Sequence, residues 1–336
     1  MATWEELLGS NNWKGLLKPN LDPNLREFIL RCGDFCQATY DAFNDNDISP
    51  NCGNSRYGIA SFFHNVILRN AANYQVIGFL YATSGSHGFC DMFFCHPPEG
   101  CDAAWDRESN WMGYVAISTD EHSQDIGRRE IYVAWRGTQR TTEWTSNVLG
   151  AWPVSAQPLL RQEGDETNDD DSSWFSWLVD ELPKVHGGWL SICTSEHPDS
   201  KFTSRSVRSQ VNDIIRVLVR NRYKDENPTL VMVGHSLGGA LANLSAFDLV
   251  ENGAVGSDVR VSSVIFGCPQ VGNELFMKRV KGQRNLKILH VKNVKDLVPR
   301  LPDSGWRVYD PIETCALEIN SDKSPCLKPS LFDVSN

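Results

Sequence analysis

The chain has 336 residues, 41% hydrophobic and 22% charged, which suits a sizeable folded core and excludes a disordered polyelectrolyte. Its 32 basic and 42 acidic residues leave a formal charge of −10, which argues against a nucleic-acid binder and against strong attraction to anionic membranes. No apolar run is long enough for a transmembrane helix, and the opening MATWEELLGSNNWKGLL carries acids and lacks the apolar stretch of a signal peptide, so the expected location is the cytoplasm. There the ten cysteines (Cys32, Cys36, Cys52, Cys90, Cys95, Cys101, Cys193, Cys268, Cys315 and Cys326) read as reduced core thiols. Cys32 and Cys36 lie four apart, but two ligands fall short of a zinc site.

The first element is a helix. Asp22-Pro23 reads as a cap followed by the first helical residue, and Leu25, Phe28, Ile29, Cys32, Phe35, Cys36 and Tyr40 recur at helical spacing to about Phe43. An Asn- and Ser-rich loop region over 45–72 follows. Three strands come next, from Tyr74, Trp111 and Glu130, and 84–108 interrupts them as an irregular insertion. The run EGDETNDDD places six acids in nine positions, so about 163–173 is expected to be a solvated loop; its spacing does not fit an EF-hand.

Beyond Thr203 the pattern becomes regular. Val207, Val211, Ile214, Ile215 and Leu218 form one helical face. Pro228 precedes the buried strand LVMVG, a helix runs from Leu237 to about Val250, and VRVSSVIFG from Val259 is the next strand. A helix from about Asn273 and the strand LKILHV from Leu286 continue the alternation. Strand and helix in turn, with apolar strands, predict an α/β fold with a mainly parallel central sheet and helices on both faces.

Gly234-His235-Ser236-Leu237-Gly238 has the G-x-S-x-G form, after a strand and before a helix. That context predicts a nucleophile elbow. The glycines Gly234, Gly238 and Gly239 clear space for a turn that lifts the serine hydroxyl above the sheet edge. The amide of Leu237, at the helix start, is the expected donor to a developing oxyanion. His235 lies inside the motif and points away from the serine, so it reads as structural. The Rossmann glycine pattern, a P-loop and a zinc motif are all missing from the sequence, and no cofactor or metal is expected.

The segments WEELLGSNNWKGLL, LREFILRCGDFCQATYDAF, GYVAIS, GRREIYVAWRGT, TSRSVRSQV, VGHSLGGALANLSAFDL, FGCPQVGN and NVKDLVPRLP together resemble the class 3 lipases of the α/β-hydrolase superfamily, and within them the plant cytosolic class II phospholipase A1 group. The resemblance runs from residue 4 to about 302. It implies hydrolysis of phospholipid acyl esters, mainly at sn-1. It also implies a phospholipid or other acyl-lipid partner at a membrane or micelle surface, and identifies no protein partner. Residue by residue, it puts the nucleophile on Ser236 and the acid that orients the base on Asp296. Thr138, after Arg136-Gly137, takes the oxyanion position beside Leu237. By analogy with fungal lipases it makes about 139–153, with Trp144, Leu149 and Trp152, a lid. The expected organisation is one α/β-hydrolase domain over 1–336 with a helical N-terminal extension over about 1–72.

One feature departs from the family pattern. The chain order in this fold is serine, acid, histidine, yet no histidine follows Asp296. The family's base lies in a further C-terminal segment, so the C-terminus reads as shortened. His290 sits on a strand as a poor substitute, and His64, His87, His96, His122, His186 and His197 all precede the nucleophile. The expectation is a serine acylhydrolase of low activity. A non-catalytic lipase-like scaffold that binds a lipid or protein is the alternative, and an esterase on a different acyl ester is a third reading.

Overall fold

The computed structural model describes residues 2–46, 48–66, 68–83, 109–138, 153–161, 182–200, 202–302, 309–311 and 313–320. Trp144, Leu149 and Trp152, with the rest of the expected lid before Pro153, lie outside these residues, as does the acidic loop at 163–173.

A seven-stranded sheet organises the chain. In chain order the strands are β1 (Tyr74–Thr83), β2 (Ser109–Ser118), β3 (Glu130–Trp135), β4 (Pro153–Ser155), β5 (Lys184–His186), β6 (Thr229–His235), β7 (Val261–Phe266), β8 (Leu286–Asn293) and β9 (Cys315–Ile319). The large sheet runs β1-β2-β3-β6-β7-β8-β9, and β4-β5 form a separate ribbon. β1, β2 and β3 pair antiparallel; β3, β6, β7, β8 and β9 are parallel neighbours. β9 was not visible to periodicity, because CALEI is too short to show a pattern.

Among the described residues the longer helices are α1 (Pro23–Ala42), α2 (Asp120–Ile126), α3 (Gly187–Thr194), α4 (Val207–Val217), α5 (Leu237–Glu251) and α6 (Glu274–Gly282). α1 starts where its sequence says it should: the Asp22 carboxylate accepts from the amides of Asn24 and Leu25, and Pro23 fills the first helical position. α5 opens directly on the end of β6, with no connecting loop.

Both faces of the sheet are buried, and alternate strand residues are shared between two cores. Ile131, Val133 and Trp135 of β3 and Leu230 and Met232 of β6 face one layer with residues of α3, α4, α5 and α6. Tyr132, Ala134, Val231 and Val233 face the other, where α1 contributes Leu25, Phe28, Cys32 and Phe35. This is why the central strands read as continuous apolar runs rather than as alternating ones. The N-terminal segment therefore supplies one whole side of the core. It is tied in by polar contacts as well: Glu130, fully buried, accepts from Tyr74 Oη at 2.9 Å, Tyr132 Oη at 3.2 Å and Arg128 Nη2 at 2.6 Å, and Arg31 of α1 stands 3.8 Å away.

Candidate active site

The carboxyl ends of three parallel strands gather the residues singled out by the motifs. Thr138 follows β3, Ser236 follows β6, and Asp296 lies in the turn after β8.

Ser236 carries the local strain. Its backbone has φ 54° and ψ −127°, a region L-residues rarely occupy. Neighbouring contacts hold it there. Its amide donates to the Phe266 carbonyl at 2.9 Å, and its own carbonyl accepts from Gly239 at 2.9 Å. The glycines are dictated by distance. A Cβ on Gly234 would sit 2.1 Å from the Gly238 carbonyl oxygen, and one on Gly238 would sit 2.3 Å from the carbonyl oxygen of Trp135. A Cβ on Gly239 would stand 2.9 Å from Cys268 Cβ. The serine hydroxyl has no hydrogen-bond partner among the described residues, so nothing in them competes for it. The Leu237 amide is the first of the helix donors that lack an intrahelical acceptor.

Thr138 belongs to a strand end that is fixed from behind. The buried Arg136 guanidinium donates from Nε to the Trp111 carbonyl at 3.0 Å and from Nη1 to the Gly137 carbonyl at 3.2 Å, and stacks 3.6 Å over the Phe43 ring. The Thr138 hydroxyl is buried with no partner among the described residues. A buried unpaired hydroxyl is costly.

Asp296 is held by one oxygen only. Its Oδ1 accepts from the Val298 amide at 2.9 Å. Its Oδ2 lies over Gly267, whose φ is +49°, and a Cβ there would come within 2.8 Å of that oxygen and 3.6 Å of His235 Nε2. Gly267 is thus the bare floor between Asp296 and the elbow, a role the sequence did not signal. Desolvation pushes the Asp296 carboxyl up from its ordinary range, while the Val298 amide and the charge of His290 pull the other way.

The nearby histidines are engaged elsewhere. His290, on β8, is buried; its Nε2 accepts from the Cys268 amide at 3.0 Å and its Nδ1 lies 3.3 Å from Glu313. Although burial pushes the Glu313 carboxyl up, His290 and Lys292 together bring it down to about 2. His235 lies at the exposed end of β6, and desolvation lowers its pKa to about 4. Its Nδ1 is 2.7 Å from Tyr40 Oη. His186 is buried, stacked on Trp189, and caps α3 by accepting from the Trp189 amide. Sequence reasoning used Tyr40 only as a core position of α1; its hydroxyl contact needed the fold to appear.

The family profile described as Lipase (class 3) matches residues 132–305, a span that contains Thr138, Ser236 and Asp296. The chain is 50% identical over 339 residues to Phospholipase A1-IIdelta of Arabidopsis thaliana, covering 98% of this chain and 79% of that one. It belongs to the class 3 lipase family. Among further relatives, Phospholipase A1-II 5 of Oryza sativa subsp. indica is 41% identical, covering 97% of this chain and 66% of its own. The fold likeness extends to the crystal structure of Lip2 lipase from Yarrowia lipolytica, at 19% identity and a TM-score of 0.52, covering 93% of this chain and 84% of that one. As a class 3 lipase the chain is a lipid ester hydrolase of the α/β-hydrolase fold. Among the described residues no helix is long and apolar enough to cross a membrane.

Proposed function

We propose that this class 3 lipase hydrolyses the sn-1 acyl ester of phospholipids with Ser236 as nucleophile. The observation that carries the reading is Ser236 itself: an unpaired hydroxyl held at φ 54° between a central strand and a helix start. A strained backbone of this kind costs about 1–3 kcal/mol and persists only when its surroundings enforce it.

In this reading Ser236 Oγ attacks the ester carbonyl carbon, and its proton passes to an imidazole oriented by Asp296 Oδ2. The oxyanion receives the Leu237 amide and the Thr138 hydroxyl. Collapse of the tetrahedral species releases the lysophospholipid alcohol, which takes the proton from the imidazole. Water then repeats the sequence on the acyl-serine and frees the fatty acid. Val294 and Leu297, exposed on either side of Asp296, favour an apolar acyl-lipid over a polar ester. A lid over 139–153 bearing Trp144, Leu149 and Trp152 would add to that surface.

The imidazole is the open place. No histidine follows Asp296 in these 336 residues, and among the described residues the rings of His235 and His290 are engaged with Tyr40 and with Cys268 and Glu313. A serine without an imidazole beside it is a weak nucleophile. The same observation favours a second reading, a lipase-like scaffold that binds lipid without cleaving it. Release of sn-1 fatty acid from phosphatidylcholine micelles decides, in the chain, its Ser236→Ala variant and a form extended with the Arabidopsis relative's C-terminal region. Turnover that rises on extension and vanishes with Ser236→Ala is expected. An extended form with no turnover, yet with micelle binding, would establish the scaffold.

A further inference from the structure

Tyr40 lies on α1, outside the span matched by the family profile. Its hydroxyl nevertheless reaches the strand ends that form the site. Burial pushes its pKa up and the Gly137 amide facing it pulls the other way, and it stands 2.7 Å from His235 Nδ1. Either ring tautomer suits this contact, the phenol donating to a bare Nδ1 or accepting from a protonated one. The ring planes meet nearly edge to face, with centroids 5.7 Å apart. The fit around this hydroxyl is close: a Cβ on Gly137 would sit 2.0 Å from Tyr40 Oη and 2.5 Å from the His235 carbonyl oxygen.

We propose that the Tyr40 hydroxyl is a positioning strut that fixes the Gly137–Thr138 strand end against the His235–Ser236 elbow. The two halves of the expected oxyanion hole come from different strands. Thr138 follows β3 and Leu237 follows β6, so their separation depends on what spans the strand ends. Backbone ladder bonds set it as far as the Trp135–Gly234 pair. Beyond that pair the ladder stops, and Tyr40 Oη meets one residue from each side. The hydroxyl acts through Gly137 and His235.

The cost of losing such a strut follows from geometry. A displaced donor loses charge stabilisation steeply while substrate binding, which uses other contacts, is spared. The inference rests on the nucleophile and oxyanion roles proposed above, so the test separates the two.

Tyr40→Phe removes one oxygen and keeps the ring; Tyr40→Leu removes the ring as well. In Tyr40→Phe the amides of Gly137 and Thr138 are expected to exchange about tenfold faster, with thermal stability nearly unchanged. The His235 Nδ1 signal in nitrogen NMR should shift as its partner is lost. In kinetics on p-nitrophenyl butyrate, Tyr40→Phe should lower kcat about tenfold and leave KM within about twofold. Tyr40→Leu should match it in kcat and lose stability besides.

Unchanged exchange at Gly137 and Thr138 in Tyr40→Phe would overturn the strut, whatever the turnover. Unchanged kcat in Tyr40→Phe, where Ser236→Ala abolishes turnover, would overturn it equally. Turnover by the wild-type chain that survives Ser236→Ala would instead sink the assignment of the nucleophile, while the amide exchange still decides the strut.

Discussion

Ser236 combines a proposed reactive role with backbone strain, and the two can be separated. Glycine adopts φ 54° without a Cβ penalty, so Ser236→Gly should raise stability by about 1 kcal/mol while removing the nucleophile. Urea denaturation beside an esterase assay would show the two effects moving in opposite directions; a destabilised glycine variant would mean that the turn is unstrained. His235 offers a pH test. Its folded pKa, lowered to about 4, lies below the ordinary histidine value, so the unfolded chain binds the extra proton first. Its contribution is complete above about pH 6.5 and declines as pH falls toward 4. Glu313, brought down to about 2, loses its contribution only below about pH 4.5, which keeps the two windows apart. Denaturation midpoints measured from pH 7.5 to 4.5 should fall in the wild type and fall less steeply in His235→Asn. Parallel curves would show that another group sets the slope.

The elements that carry the site were legible because their chemistry is local. A G-x-S-x-G sequence between an apolar strand and an apolar helix demands an elbow, and Asp22-Pro23 announces α1 by its own capping bonds. What escaped the sequence is what depends on distant partners. The CALEI strand is too short for periodicity and gains its place from β8. α2 and α3 are single short helices without a long apolar stripe. Tyr40 looks like one more core position until the fold brings it to Gly137. Gly238 shows the contrast. Its spacing from Ser236 is read directly, while the reason for it lies in β3, a hundred residues earlier in the chain. A methyl there meets the Trp135 carbonyl oxygen at 2.3 Å, and neither backbone can yield without moving α5 off the sheet. Gly238→Ala should therefore cost about 2 kcal/mol or more, read as a lower urea midpoint at constant slope. Gly282, with nothing within 4 Å of an added Cβ, is the matched control. Equal costs at the two positions would refute the packing argument.

At the scale of the molecule, the proposed chemistry asks one more group of the fold. The sheet delivers Thr138, Ser236 and Asp296 to one rim. Three polar atoms there lack partners among the described residues: Thr138 Oγ1, Ser236 Oγ and Asp296 Oδ2. An imidazole between the serine and the carboxylate would satisfy two of them at once. Asp296 cannot replace it, because an oriented carboxylate stabilises an imidazolium and does not itself remove the serine proton. If the rim is assembled and only this ring is wanting, a free imidazole should act in its place. Added to the 336-residue chain at pH 8, imidazole at tens of millimolar should raise p-nitrophenyl ester turnover severalfold above its own background hydrolysis. The increment should disappear in Ser236→Ala. It should also shrink in Asp296→Asn, which keeps the shape of the side chain but loses the charge that would hold the ring. Gly267→Val makes the same point sterically, since its side chain would occupy the floor on which Asp296 Oδ2 lies. Rescue that ignores all three substitutions would be simple solution catalysis. Rescue that is lost or reduced in all three variants would place the proposed base between Ser236 and Asp296.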